Sequence, residues 1–188
     1  MLKILFLVTL PLALASVSTA QVTPSSVVVV GQESPALVVR DATGQTRSSS
    51  DLRGKKSLLL TFFPRCFTGN CTSQLTSLRD AYPQLQKAGV EVWAVSTDGA
   101  EGPHGQRAFG KYLRLPFPLL PDSDRKLSLL FGAVRTKEQM AARMSVLINR
   151  NGTIAWIDKQ ISPHTHGQDV LAKVKTMPAV PISSSTPP

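Results

Sequence analysis

Residues 58–63, Leu58-Leu59-Leu60-Thr61-Phe62-Phe63, make an almost unbroken apolar run, the pattern of a strand buried on both faces. Pro64 ends it, because proline brings no N–H to a strand ladder. Beyond it Leu75, Leu78, Tyr82 and Leu85 recur at helical spacing as far as Gly89, which predicts a helix over 71–88 with a kink at Pro83. Residues 90–96 read as the next strand, and a Gly/Pro loop over 99–105 leads into a short helix over 106–113. A strand over 117–120 and a helix over 123–131 follow. Two strands over 144–149 and 153–158 flank Arg150-Asn151-Gly152, a hairpin signal, and a last helix covers 164–175. Upstream, 27–30 and 36–39 are strand candidates. Asp41-Ala42-Thr43-Gly44 turns the chain back into Thr46-Arg47, and 48–54 reads as one capped helical turn. No internal repeat is visible.

Strand, helix and strand in succession make a parallel crossover pair, which a hairpin and a helix then follow. With the N-terminal hairpin added, the expected fold class is α/β: a thioredoxin-like fold, with a central mixed β-sheet flanked by helices.

The two ends of the chain change that picture. Residues 1–20 begin with Lys3, continue through a short apolar core broken by Pro11, and finish on small residues including Ser18 and Ala20. These are the three parts of a secretory signal peptide, with cleavage expected after Ala20. The apolar run is shorter than the ~20 residues a spanning helix needs, so no stable membrane insertion is expected. Residues 21–30 form a lead-in, residues 31–176 the domain, and residues 177–188 a disordered Pro/Ser-rich tail. Removing residues 1–20 takes Lys3 and no acid, lowering the formal charge from +9 to +8 and leaving enough chain for one core. The basic residues are scattered, without an aromatic platform between them, so no nucleic-acid partner is expected. The export signal points to a periplasmic or secreted protein.

The candidate chemistry sits where the central strand meets the first long helix. Cys71 falls in that helix's first turn, where unpaired N–H groups carry partial positive charge and favour a thiolate over a thiol. No acidic residue lies between Lys55 and Arg79 to offset that field. By itself this leaves two readings, a reactive thiol and a buried structural cysteine with Thr68 as a helix cap.

The segment Pro64-x-x-x-Thr68-x-x-Cys71, placed after an apolar strand, resembles the peroxidatic signature of peroxiredoxins. Leu78-Arg79-Asp80 is similar to the bacterioferritin-comigratory branch of that AhpC/TSA superfamily. Val95-Ser96-Thr97-Asp98, residues 115–120, Phe131-Gly132, residues 143–148 and Gly152-Thr153-Ile154 extend the resemblance from about residue 31 to 174. It implies a thiol-dependent peroxidase that needs no cofactor and no metal. In that role Cys71 attacks the O–O bond of hydrogen peroxide or an organic hydroperoxide. Thr68 hydrogen-bonds the sulfur or the peroxide, and Pro64 screens the site from water. Arg143, from a neighbouring strand, supplies a charged fork to sulfur and peroxide oxygens. The implied partners are the peroxide and a thiol reductant such as a thioredoxin-like protein, with the chain a monomer or weak dimer.

Attack leaves a sulfenic acid that a second thiol must resolve. The position five residues after Cys71, where many relatives carry a resolving cysteine, holds Thr76, and the other cysteine is Cys66. Cys66 therefore resolves, or an external thiol does, or the pair is a structural disulfide. His104, His164 and His166 make a weak metal set, and the two neighbouring histidines read as solvated loop residues. Asn70-Cys71-Thr72 and Asn151-Gly152-Thr153 match the glycosylation sequon by chance, at a reactive site and in a tight turn. Two other functions stay open: an exported thiol–disulfide oxidoreductase and a thioredoxin-like copper carrier using Cys66, Cys71 and a histidine. Both usually space their cysteines more closely than the Cys-x-x-x-x-Cys found here.

Overall fold

A computed structural model describes residues 28–177. The expected signal peptide, most of the lead-in and residues 178–188 of the tail lie outside the described residues. The first sheet is a small hairpin, β1 (Val38–Arg40) with β2 (Thr46–Ser48), followed by a 3₁₀ turn at Ser49–Leu52. Asp41 closes its turn. Its carboxylate accepts hydrogen bonds from the N–H groups of Thr43 and Gln45 and from Arg47 Nε, at 2.8 to 3.0 Å.

The main sheet is built on β3 (Ser57–Phe62), flanked by β4 (Val90–Ser96) in parallel and β6 (Met144–Ile148) in antiparallel register. Its edges are β5 (Leu119–Pro121), parallel to β4, and β7 (Ile154–Asp158), antiparallel to β6. The strand order is β5-β4-β3-β6-β7. Four helices complete the domain: α1 (Gly69–Lys87), α2 (Gln106–Leu113), α3 (Lys126–Leu130) and α4 (His166–Thr176). This is the mixed, helix-flanked sheet with an N-terminal hairpin that the sequence predicts.

The pleat of the central strands sorts the core into two layers. Leu59, Phe63, Val92, Ala94 and Leu147 face α1, α2 and α4, and Leu58, Leu60, Phe62, Trp93, Val95, Met144 and Val146 face the other side with Phe131. Thr61 follows Leu59 on the helix-facing side, and Ser145 precedes Leu147 there, so two hydroxyls enter the layer beneath α1. The buried stripe of α1 runs Cys71, Gln74, Leu75, Leu78, Ala81 and Leu85. Cys71 and Gln74 thus continue an apolar face to the helix's first turn.

Three expectations change. Residues 28–30 of the first strand candidate form no strand, and the chain bonds to β7 just after them, with Gly31 N–H bonded to Ile154 O and Ile154 N–H to Gln32 O, both at 2.8 Å. The helix expected over 123–131 shrinks to α3, because the Asp122 carboxylate accepts the N–H groups of Leu127 and Ser128 and sets its start. The last helix starts at His166 rather than 164, where Gly167 N–H binds Ser77 Oγ at 2.9 Å. A Cβ on Gly167 would stand 2.2 Å from Ser77 O, so only glycine admits this approach of α4 to α1.

Candidate active site

Cys71 occupies the first turn of α1 and is 1% exposed. No side chain caps this helix end and no acid lies in its first turn. The partial positive charge of the leading N–H groups is therefore left to act on the sulfur. Thr68, at the N-cap position, donates its hydroxyl proton to Arg65 O at 3.1 Å, and its oxygen accepts no capping bond from a helix N–H.

Arg143 stands immediately before β6, at the head of the strand expected over 144–149. The antiparallel pairing of β6 with β3 brings the start of β6 to the end of β3, Met144 opposite Phe62, two residues before Pro64. From there Arg143 Nη2 donates to Cys71 Sγ at 3.6 Å and Nη1 donates to Gln74 Oε1. Pro64, Thr68, Cys71 and Arg143 line one open cavity of about 510 Å³, together with Arg65, Gly69, Asn70 and Met140. The four residues singled out in the sequence thus converge. A larger cleft, about 920 Å³, lies between the β1–β2 hairpin and α2, contains no cysteine, and is remote from this chemistry.

Cys66 is separate from that cavity. It is 4% exposed, its thiol is free, as is that of Cys71, and its N–H binds Asp98 Oδ2 at 2.6 Å. Burial, and then the charge and hydrogen bonding of Asp98, push the Cys66 thiol far above its ordinary range, so it is held protonated. Between the two cysteines Phe67 adopts a left-handed backbone, φ 57°. Its ring centroid lies 4.8 Å from that of Phe109, 5.7 Å from Tyr112 and 5.8 Å from the edge-on His104. Aromatic packing holds a conformation that a Phe backbone otherwise disfavours.

Behind Arg143 lies a buried polar network that no motif in the sequence marks. Gln74 Nε2 donates to Thr61 Oγ1 at 3.0 Å and to Phe62 O at 3.4 Å, which aims its Oε1 at the guanidinium. Ser145 Oγ donates to Thr61 Oγ1 at 2.8 Å and lies 3.1 Å from His166 Nε2. Far from being a solvated loop residue, His166 is completely buried. Only a polar residue breaking an apolar stripe, Gln74 within 71–85, was visible beforehand. Among the described residues no three His, Cys, Asp or Glu side chains converge as a ligand set, so the copper-carrier reading finds no third ligand beside the cysteines. No described helix is long and apolar enough to cross a membrane.

The model of the AhpC/TSA family matches residues 30–157. The chain is 30% identical over 168 residues to a chloroplastic peroxiredoxin Q of Populus jackii, covering 88% of this chain and 77% of that protein. It is 30% identical over 151 residues to the putative peroxiredoxin bcp of Coxiella burnetii, covering 77% and 97%. Among solved structures, peroxidoxin BcpB from Mycobacterium tuberculosis superposes with a TM-score of 0.72 at 21% identity, over 81% of this chain and 99% of that one. A Xylella fastidiosa PrxQ mutant gives 0.69 at 22% identity, over 80% and 98%.

Proposed function

The chain belongs to the AhpC/TSA family and is a thiol-dependent peroxidase of the peroxiredoxin type, and from that premise we propose that it acts after export, with Cys71 as the peroxidatic residue toward hydrogen peroxide or small organic hydroperoxides. The observation that carries the assignment is the meeting of Cys71 Sγ, Arg143 Nη2 and an uncapped helix end at the floor of one cavity. The Cys71 thiolate attacks the distal peroxide oxygen, the O–O bond breaks, and the electron pair leaves on the second oxygen as an alcohol or water once protonated. Arg143 and the leading N–H groups of α1 stabilise that developing negative charge. Cys71 is left as a sulfenic acid.

Resolution then falls to Cys66. Its sulfur displaces hydroxide from the sulfenic acid, forming the Cys66–Cys71 disulfide and water, and a dithiol reductant takes up the oxidation. Both thiols are buried, and Phe67 pins the intervening turn, so the first turn of α1 has to unwind before they join. Asp98 lies beside Cys66 as the acceptor for its proton.

Peroxide consumption by residues 21–188 with dithiothreitol tests the assignment. Wild-type protein is expected to turn over, and Cys71→Ser to be inactive while keeping its fold. Wild-type turnover in Cys71→Ser would remove Cys71 from the peroxidatic role.

A further inference from the structure

We infer that His166 is a positioning residue for the peroxidase site, acting through Ser145, Thr61 and Gln74 to hold the Arg143 guanidinium against Cys71; the inference rests on the functional reading above.

The path is continuous in the structure. His166 Nε2 lies 3.1 Å from Ser145 Oγ, Ser145 Oγ donates to Thr61 Oγ1 at 2.8 Å, and Gln74 Nε2 donates to the same Thr61 oxygen at 3.0 Å. Gln74 Oε1 then accepts from Arg143 Nη1, and Arg143 Nη2 donates to Cys71 Sγ. Thr61, Gln74, Ser145 and His166 are each 0% exposed, so water does not replace a missing member. Thr61 and Ser145 are register partners on adjacent antiparallel strands, which is why their hydroxyls meet.

The direction of donation assigns a task to the imidazole. Ser145 spends its single proton on Thr61, so its oxygen is free only to accept. His166 must then present Nε2–H, with Nδ1 left as the bare nitrogen, and Nδ1 is indeed the buried atom without a partner. A bare lone pair is the less costly orphan, since unpaired buried N–H groups are rarer still. Burial holds His166 neutral, in keeping with this tautomer. With Ser145 so fixed, Thr61 receives two donors. Gln74 is left with its amide nitrogen toward Thr61 and Phe62 O and its oxygen toward Arg143. Should the amide turn over, its NH₂ would face the guanidinium and push it off the sulfur. The α4 helix is fixed for this purpose by Gly167, whose lack of a side chain seats His166 against the sheet.

The test is the second-order rate of first-turnover peroxide reduction, with thermal melting measured on each variant. His166→Leu fills the space without donating, and His166→Gln restores an N–H near the Nε2 position. The Leu variant is expected to react roughly tenfold more slowly, and the Gln variant within about twofold of wild type. Ser145→Ala is expected to match His166→Leu, and the double variant to be no slower than either, because the sites lie on one path. A folded His166→Leu reacting at the wild-type rate overturns the inference, as does a loss that Gln leaves uncorrected. Where His166→Leu does not fold, Ser145→Ala decides, and a wild-type rate there overturns the inference too. Cys71→Ser run alongside separates the two failures: turnover in that variant defeats the functional assignment, whereas an inactive Cys71→Ser with unaffected network variants defeats this inference alone.

Discussion

Arg143 Nη2 lies 3.6 Å from Cys71 Sγ across 72 residues of sequence, while the same guanidinium donates through Nη1 to Gln74, one helical turn beyond the cysteine. One planar fork is thus tied at two points to the same face of α1. That arrangement fixes its orientation more tightly than a single contact would. It also leaves the sulfur facing the cavity with a positive partner on one side and helix N–H groups on another.

Arg143→Ala removes that charge and one donor from the developing oxyanion. Peroxide attack at neutral pH is expected to slow by about a hundredfold or more, the scale for loss of one preorganised donor. Arg143→Lys restores charge but not the two-point fork, and is expected to recover only part of the loss. Stopped-flow rates, with iodoacetamide alkylation as a measure of thiolate, check both. Equal rates in all three proteins would show that Arg143 has no part in the chemistry.

The Cys66–Cys71 disulfide is testable without a reductant. After one equivalent of peroxide, mass spectrometry is expected to show loss of two hydrogens and no added oxygen. Phe67→Ala, which removes the packing on Phe109 and Tyr112, is expected to speed this step by freeing the turn. A lasting sulfenic acid beside a free Cys66 would instead assign resolution to an external thiol.

His166 links stability to pH. Burial lowers its pKa to about 4 from 6.5, opposed by Asp169 and reinforced by Arg143. Between pH 6.5 and 4 the unfolded chain binds a proton that the folded one refuses, so stability rises with pH across that window and is lost as pH falls through it. The loss is roughly 3 kcal/mol at one unit per ~1.4 kcal/mol. Melting curves at pH 7 and pH 4.5 are expected to converge for His166→Gln relative to wild type. An unchanged difference would place the acid sensitivity elsewhere.

Gly167→Ala tests the seat of α4. The added Cβ would meet Ser77 O at 2.2 Å and Ala81 Cβ at 2.7 Å, so α4 has to shift. A destabilisation of about 1–3 kcal/mol is expected for this overpacking, visible in urea denaturation, with a slower peroxide reaction because His166 moves with the helix. Wild-type stability would mean that the contact relaxes at no cost.

The sequence by itself determined the elements and the order in which they occur, because hydrophobic period, proline and glycine act over a few neighbouring residues. The run at 58–63, the stripe from Leu75 to Leu85 and the Arg150-Asn151-Gly152 turn each carry their own local signal. The cysteine at a helix start was legible for the same reason, and the motif resemblance extended it to Pro64, Thr68 and Arg143. Tertiary structure decided what surrounds them. Whether Thr61 meets Ser145 depends on the register of β3 against β6, a pairing between residues 84 apart that no local pattern encodes. Likewise His166, two residues from the exposed His164, is buried only because Gly167 lets α4 close on α1. A polar side chain reads as solvated until its partners are known, and those partners come from three other elements of the fold.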